Sequence, residues 1–116
     1  MKEYQLQIKL VNYLKSKKLS KFRFFHIPNQ GRRSLKYQFL LASMGLKAGC
    51  PDLILEFKGG RIVYIELKNT RGSLSKAQKL WQNVSNALKT PHYILKGEFN
   101  DLKIQLNNII TKHYKV

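Results

Sequence analysis

Acidic residues are scarce in this chain. Its 116 residues include 22 lysines and arginines but only 6 aspartates and glutamates, which gives a formal net charge of +16 at pH 7. So large an excess of one sign disfavours a compact state through self-repulsion, unless a polyanion is the usual partner. The composition therefore indicates a protein that binds nucleic acid, although a protein bound to a membrane surface or a ribosome would have the same charge.

Cysteine and long apolar segments are also scarce. The single cysteine, Cys50, excludes an intramolecular disulfide and is typical of a reducing cytoplasm. Because it lies between Gly49 and Pro51, we interpret it as a small buried residue and not as a nucleophile. No apolar run approaches the roughly 20 residues that span a bilayer, and the amino terminus is too polar for a signal peptide. We therefore expect a cytoplasmic protein with no membrane partner.

The spacing of apolar residues predicts a single α/β domain over residues 1–116, with a mixed sheet flanked by helices in the order α-β-α-β-β-α-β-α. Helices are predicted over 3–17, 34–44, 75–88 and from 99 onwards, and strands over 22–27, 53–57, 62–67 and 91–95. Three helices have an apolar stripe that we expect to be buried: Leu6, Leu10, Val11 and Leu14; Ala77, Leu80, Trp81, Val84 and Leu88; and Leu102, Leu106, Ile109 and Ile110. Tyr37 and Phe39 on the second helix are interpreted as packing or dimer residues.

Two of the six acidic residues stand at the ends of predicted strands. Asp52 follows Pro51 at the start of one strand, and thirteen residues separate it from Glu66. Glu66 begins the triplet Glu66-Leu67-Lys68 at the end of the next strand. Because side chains alternate along a strand, Glu66 and Lys68 share one face while Leu67 points into the core.

The loop between these two strands decides whether Asp52 joins that face. A two-residue turn at Gly59-Gly60 would put Asp52 on the opposite face from Glu66. A three-residue loop over 58–60 instead pairs Asp52 with Glu66, and directly opposed residues face the same way. Since two consecutive glycines suit a three-residue loop with a bulge, we expect the longer loop.

Asp52 and Glu66, brought together in this way, are suited to bind a metal ion. Two convergent carboxylates favour a hard cation, and Mg²⁺ usually takes one or two carboxylates and keeps several waters. The metal would activate a bound water and polarise a phosphoryl oxygen, while Lys68 would stabilise developing charge or help to deprotonate the water. Glu3 and Gln7 project from the apolar face of the first helix, where a carboxylate needs a charge or metal beside it unless it lies in a frayed first turn. The pattern predicts a magnesium-dependent phosphodiesterase site.

These motifs belong to a longer ordered set. Its members are the first helix with Glu3 and Gln7 and the segments 26–33, 45–53, 65–68 and 72–81. As a set they resemble the VRR-NUC family, the virus-type replication-repair nucleases, within the PD-(D/E)XK nuclease superfamily. The resemblance runs almost from end to end, no catalytic position is missing, and it implies a restriction-endonuclease-like fold.

The resemblance also implies a role for each residue of the site. The catalytic residues would be Glu3, Asp52, Glu66, Lys68 and Gln78. Asp52 and Glu66 would bind Mg²⁺, for which Mn²⁺ would substitute, together with the main-chain carbonyl of Leu67. Glu3 would complete the acidic cluster directly or through water. Lys68 would be the catalytic lysine, and Gln78 would orient Lys68 or a phosphate.

Contacts with DNA are implied on both sides of this site. The phosphate-gripping loop would consist of Asn29, Gln30, Gly31, Arg32 and Arg33, since glycine lets the backbone approach closely and arginines bind phosphate oxygens in pairs. Backbone contacts are expected from Lys47, Arg71 and Lys76. His26 either touches DNA or is a structural residue at the end of a strand.

Small stand-alone members of this family resemble junction-resolving enzymes, which suggests an endonuclease for branched, Holliday-junction-like DNA. One domain with one site needs a second copy to make paired cuts, so we expect a homodimer. Two other functions fit the residues: a non-catalytic nucleic-acid-binding protein of the same fold, and a restriction-type nuclease that reads duplex DNA. The chain is short for a separate recognition module, which counts against the second of these.

Overall fold

The structure, a computed structural model, describes residues 1–17, 22–27, 35–45 and 47–114. Its elements follow the predicted order, and their ends agree with the prediction to within one residue. They are α1 (Glu3–Ser16), β1 (Phe22–His26), α2 (Leu35–Ser43), β2 (Leu53–Phe57), β3 (Arg61–Lys68), α3 (Lys76–Ala87), β4 (His92–Lys96) and α4 (Phe99–Tyr114). Ser34, the first residue of the predicted second helix, lies outside the described residues.

The strands form a mixed sheet in the order β1-β2-β3-β4. β2 pairs antiparallel with both β1 and β3, whereas β3 and β4 are parallel neighbours with α3 between them in the chain. Parallel neighbours need a long crossover connection, which α3 provides. The mixed sheet with flanking helices confirms the predicted α/β class.

The turn between β2 and β3 has the predicted length. Phe57 pairs with Arg61, which leaves three residues in the loop. Gly59 and Gly60 have φ angles of 83° and 74°. These left-handed values cost a residue with a side chain about 1 kcal/mol or more, so the two glycines are what allows this loop.

One face of the sheet packs against α1 and α4 and forms the hydrophobic core. The residues of this core are Leu6, Leu10, Leu14, Leu53, Leu55, Phe57, Val63, Ile65, Leu67, Leu95, Leu102, Leu106, Ile109 and Ile110, with Val11 partly buried against them. The hydroxyl group of Tyr13 donates a 2.8 Å hydrogen bond to Oδ1 of Asn107 and so joins α1 to α4. The stripes predicted for the first and last helices are confirmed, and Leu67 points into the core as expected.

The prediction for α3 is wrong, because most of its apolar stripe faces solvent. The exposed fractions are 64% for Leu80, 48% for Val84 and 71% for Leu88. The sheet covers a neighbouring part of the helix surface: Gln78 contacts Glu66, Trp81 packs edge-on against Tyr64, and Ser85 is buried. These three residues are spaced by three and four, so they lie on one side of the helix. The helical periodicity identified the apolar side of α3, but it did not show which part of the helix surface the sheet covers.

The second helix is exposed at every position except Leu41, which is half-buried. None of the residues Leu35–Ser43 is buried, and Phe39 and Leu40 are among the exposed large apolar side chains. Tyr37 and Phe39 therefore do not belong to the core of this chain. Within the described ranges, no helix combines the length and the apolar character that crossing a membrane requires.

Candidate active site

Asp52 and Glu66 lie opposite each other at one end of the β2–β3 hairpin. Leu53 pairs with Ile65, and the same register places Asp52, one residue earlier, opposite Glu66. The Oδ2 atom of Asp52 accepts a 2.7 Å hydrogen bond from the main-chain N–H of Leu67. Both acidic residues are only 1% exposed. The sequence prediction that the loop brings these two residues to one face of the hairpin is confirmed.

Burial makes a negative charge on Glu66 unfavourable. Loss of hydration raises the pKa of Glu66 far above its ordinary value of 4.5, and a hydrogen bond with Asp52 and the charge of Asp52 act in the same direction. The charge of Lys68 opposes them. The Oε1 atom of Glu66 is buried and has no hydrogen-bond partner in the described part of the chain. A buried carboxylate with one unsatisfied oxygen is costly, unless a cation binds to it.

Lys68 is buried on the same face of β3, two residues beyond Glu66. Its Nζ atom lies 3.9 Å from Oε2 of Glu3, the first residue of α1, which makes a long ion pair. Gly72 leaves the room for this pair, since a Cβ atom at that position would lie 2.8 Å from Oε2 of Glu3 and 3.1 Å from Cδ of Lys68. A side chain at position 72 would therefore collide with the pair of Glu3 and Lys68.

The three acids expected at the site do not form one cluster in this structure. Over residues 1–17, 22–27, 35–45 and 47–114, no three His, Cys, Asp or Glu side chains are grouped closely enough to hold a metal ion. Asp52 and Glu66 are together, whereas the carboxylate of Glu3 lies beside Lys68.

Gln78 reaches Glu66 from the first turn of α3. Its Nε2 atom donates a 3.1 Å hydrogen bond to Oε2 of Glu66, and its Oε1 atom accepts one of 2.9 Å from the N–H of Ser75. Ser75 in turn accepts a hydrogen bond from the N–H of Gln78 through its Oγ atom, which completes a capping box. The cap that begins α3 thus fixes Gln78 at the carboxylate of Glu66, whereas the resemblance implied a contact with Lys68 or a phosphate.

The loop before Asp52 packs directly against the start of α3. Gly49 has a φ of 81°, and a Cβ atom there would lie 2.3 Å from the main-chain oxygen of Ala77. Cys50 is buried, as predicted. Burial, followed by the charges of Glu66 and Asp52, raises the pKa of the Cys50 thiol to about 11. At neutral pH this thiol is protonated and therefore a poor nucleophile.

His26 stands at the end of β1, next to the loop that contains Asp52. Its Nδ1 atom lies 3.0 Å from the main-chain oxygen of Asp52 and 2.8 Å from Nε2 of Gln7. The described contacts of this ring are thus with protein groups beside the carboxylate pair. His26 thus has a contact with the main chain of Asp52, and its role as a DNA contact stays a prediction.

The other residues expected to contact DNA lie on the surface. Lys47 and Arg71 are exposed in the loops that precede Asp52 and follow Lys68, and Lys76 is exposed at the first residue of α3. The main-chain N–H of Arg71 donates a 3.1 Å hydrogen bond to Oδ1 of Asn69. The expected phosphate-gripping loop, Asn29, Gln30, Gly31, Arg32 and Arg33, lies outside the described residues.

An open cleft runs along α1 beside the site. Glu3, Gln7 and His26 line it, together with the exposed apolar side chains Tyr4 and Ile8.

Two residues beside the site, Ser75 in the cap of α3 and Gly72 next to Glu3, were not among the site residues predicted from the sequence. The spacing Ser-x-x-Gln was the available signal for Ser75, whereas nothing in the sequence indicates that Gly72 touches Glu3.

The donor atoms of Asp52 and Glu66 fit a hard divalent cation. Both side chains offer oxygen, both are buried, and Oε1 of Glu66 lacks a partner within the described part of the molecule. Magnesium is commonly bound by one or two carboxylates, and it completes its shell with water. The donor atoms of this pair are therefore compatible with a divalent cation of this kind.

Comparisons with known proteins show the family and the fold of this chain. The VRR-NUC domain family matches residues 1–97. A solved structure, described as a VRR_NUC domain protein, superposes with a TM-score of 0.75 over 96% of this chain and 89% of that chain, at 22% sequence identity. At that identity the superposition shows a shared fold. No curated protein is significantly similar to the chain. Because the family match covers most of the sequence, this chain belongs to the VRR-NUC domain family.

Proposed function

We propose that this protein is a metal-dependent DNA endonuclease that hydrolyses phosphodiester bonds, with residues 1–116 acting as one nuclease unit. The observation that carries the proposal is the buried pair Asp52 and Glu66, with Lys68 buried on the same face of β3. A nuclease-type fold follows from the family, and the residues at this end of the hairpin supply the chemistry.

Asp52 and Glu66 would hold Mg²⁺, or Mn²⁺ in its place, with the main-chain carbonyl of Leu67 as a further ligand. A bound cation of this kind lowers the pKa of a water ligand and polarises a phosphoryl oxygen. Glu3, at the edge of the site, would act through water or after parting from Lys68. The raised pKa of Glu66 supports this assignment, since a cation favours the ionised carboxylate that burial disfavours.

Lys68 and Gln78 would act on the groups around the cation. Lys68 would supply a donor close to where charge develops on the phosphate, and its burial keeps that donor in an environment where electrostatic interactions are strong. Gln78 holds Oε2 of Glu66 through a 3.1 Å hydrogen bond, so it would fix the ligand geometry of Glu66. Its role is thus to position Glu66 more than to orient Lys68.

The surface around the site suits branched DNA. The net charge of +16 supplies phosphate contacts, for which Lys47, Arg71 and Lys76 are the described candidates and 29–33 the candidate loop. The cleft beside α1 exposes Tyr4 and Ile8, and such apolar and aromatic surface suits unpaired bases more than a duplex backbone. A junction or flap presents both paired and unpaired nucleotides near a scissile bond.

A homodimer is part of this proposal. Leu80, Val84 and Leu88 form an exposed apolar surface on α3, hereafter the α3 surface, and α2 is an exposed apolar helix. Monomeric proteins rarely leave contiguous apolar surface uncovered. A second copy of the chain would cover it and would supply the second active site that paired cuts require.

Cleavage of labelled DNA tests the proposed activity. A four-way junction and a linear duplex of the same sequence are incubated with Mg²⁺, Mn²⁺ or EDTA, with wild type, Glu66→Gln and Glu56→Gln. Glu56 is the matched control because it lies on the same hairpin but pairs with Arg23 at the surface. We expect metal-dependent junction cleavage that Glu66→Gln abolishes and Glu56→Gln retains. Tight DNA binding without cleavage in either metal would instead support the non-catalytic binding protein.

A further inference from the structure

One ring nitrogen joins three elements beside the candidate active site. Nδ1 of His26, the last residue of β1, lies 2.8 Å from Nε2 of Gln7 on α1. The same atom lies 3.0 Å from the main-chain oxygen of Asp52, immediately before β2. His26 is also the register partner of Leu53, the residue that directly follows Asp52.

With Nε2 of Gln7 facing the ring, only one of the two contacts can be a hydrogen bond, since Nδ1 either donates or accepts. A main-chain carbonyl only accepts, so a hydrogen bond with Asp52 requires a proton on Nδ1. A protonated Nδ1 cannot accept from the amide nitrogen of Gln7. The oxygen and nitrogen of a glutamine amide have nearly the same shape, and a 180° turn brings Oε1 to the same position. In that orientation the Nδ1–H group donates to both Gln7 and Asp52.

We propose that Gln7 and His26 are positioning residues for Asp52, in a relay Gln7–His26–Asp52 that holds the main chain where the carboxylate begins. Asp52 then is fixed at two points: its carbonyl accepts from His26, and its Oδ2 atom accepts a 2.7 Å hydrogen bond from Leu67. The first point sets where the residue lies, and the second sets where its carboxylate points. The effect of the relay on metal binding rests on the proposed metal site, whereas the contacts among the three residues do not.

The relay explains why a polar Gln7 lies on the otherwise apolar side of α1. Gln7 is adjacent in sequence to the buried Leu6, and its contact with His26 ties α1 to the edge strand β1. Groups that orient a metal ligand typically affect metal affinity by about 10- to 100-fold when they are removed.

Two isosteric substitutions of His26 distinguish a donor at Nδ1 from a donor at Nε2. His26→Asn keeps an N–H group near the position of Nδ1, and His26→Gln keeps one near the position of Nε2. We expect His26→Asn to bind Mn²⁺ in a calorimetric titration within about threefold of wild type, whereas His26→Gln and Gln7→Met weaken binding by about 10- to 100-fold. Weak binding by His26→Asn with normal binding by His26→Gln would overturn the proposal.

A measurement on the metal-free protein tests the relay even if the protein does not bind a metal ion. The Leu67 amide resonance reports the position of the Asp52 carboxylate, because Leu67 donates to it. We expect this resonance to shift in His26→Gln and Gln7→Met but not in His26→Asn, and the imidazole nitrogen spectrum to show the proton on Nδ1. An unchanged Leu67 resonance in all three variants, or a proton on Nε2 alone, would overturn the relay. Absence of Mn²⁺ binding by wild type would contradict the proposed function and leave these readouts intact.

Discussion

At the scale of single residues, Glu66 is a buried acid whose negative charge is unfavourable. It is 1% exposed, one of its oxygens has no partner in the described structure, and the neighbouring carboxylate of Asp52 adds repulsion. Gln78 and Lys68 offset only part of this cost. The same features make Glu66 a strong ligand, because a cation placed there relieves the repulsion and satisfies the free oxygen.

Stability of the metal-free protein is therefore expected to depend on Glu66 and pH. The folded pKa is raised above 4.5, so the folded chain holds a proton that the unfolded chain releases. This contribution is complete below about pH 4.5 and is lost as the pH rises through the raised pKa. Glu66→Gln should gain stability over wild type as pH rises, by up to about 1.4 kcal/mol per pH unit. Thermal unfolding in EDTA from about pH 5 to about pH 9 measures this difference.

Glu56→Gln is the control for that experiment, since Glu56 lies on the hairpin surface and pairs with Arg23. Its stability relative to wild type should not follow the same trend. A difference between wild type and Glu66→Gln that is constant with pH would contradict the raised pKa. Addition of Mg²⁺ should stabilise wild type and leave Glu66→Gln unchanged.

At the scale of elements, close packing of the loop before β2 against α3 joins the two halves of the site. Gly49 contacts the first turn of α3, and Gln78 in that turn donates a hydrogen bond to Glu66. Gly49→Ala would add a side chain at a φ of 81°, 2.3 Å from the main-chain oxygen of Ala77. We expect a loss of about 2–4 kcal/mol in unfolding free energy and weaker metal binding, as α3 moves away.

Gly59→Ala is the matched control for Gly49→Ala. Gly59 has a φ of 83°, almost the same, but a Cβ atom there meets nothing within 4 Å. Only the backbone strain should remain, which costs about 1–2 kcal/mol. Chemical denaturation compares the two variants. Equal losses would show that contact with α3 contributes nothing.

The elements also show what the sequence could predict. The register of β2 and β3 was predictable, because side chains alternate strictly and the Gly59-Gly60 pair favours a three-residue loop. The buried face of α3 was not, since a helix can rotate to present Gln78 and Ser85 to the sheet while its apolar arc faces solvent. The contact between Gln7 and His26 could not be predicted from the sequence either, because it depends on how α1 lies against the end of β1.

At the scale of the whole molecule, two apolar surfaces lie on a strongly basic protein. The α3 surface and α2 are the places where the second copy of the proposed homodimer would bind. Leu80→Glu should convert the dimer to a monomer, with affinity weakened by at least about 30-fold for a residue worth about 2 kcal/mol. Light scattering after size exclusion measures the mass.

Ile104→Glu provides the control for the dimer experiment, because Ile104 is 60% exposed on α4, a different helix. This variant should remain a dimer. A wild-type protein that stays monomeric at working concentration, with or without junction DNA, would contradict the homodimer. It would leave the metal site unaffected.

The net charge predicts a steep salt dependence of DNA binding. Each phosphate contact contributes about 0.9 to the slope of log affinity against log salt concentration. Lys76→Ala should reduce this slope by about 0.9 if Lys76 contacts a phosphate. Lys58→Ala should not, since Lys58 lies in the hairpin loop at the opposite end of β2 from Asp52. Fluorescence anisotropy over a salt series measures both slopes, and equal slopes would exclude Lys76 as a phosphate contact.

The central claim is that Asp52 and Glu66 form one metal site. Anomalous diffraction from crystals soaked with Mn²⁺ tests it most directly, in wild type and in Glu66→Gln. The account predicts a single strong peak about 2.1 Å from carboxylate oxygens of both residues, absent from the variant. Strong peaks elsewhere on the molecule, with none between Asp52 and Glu66 in an enzyme that cleaves DNA, would contradict it.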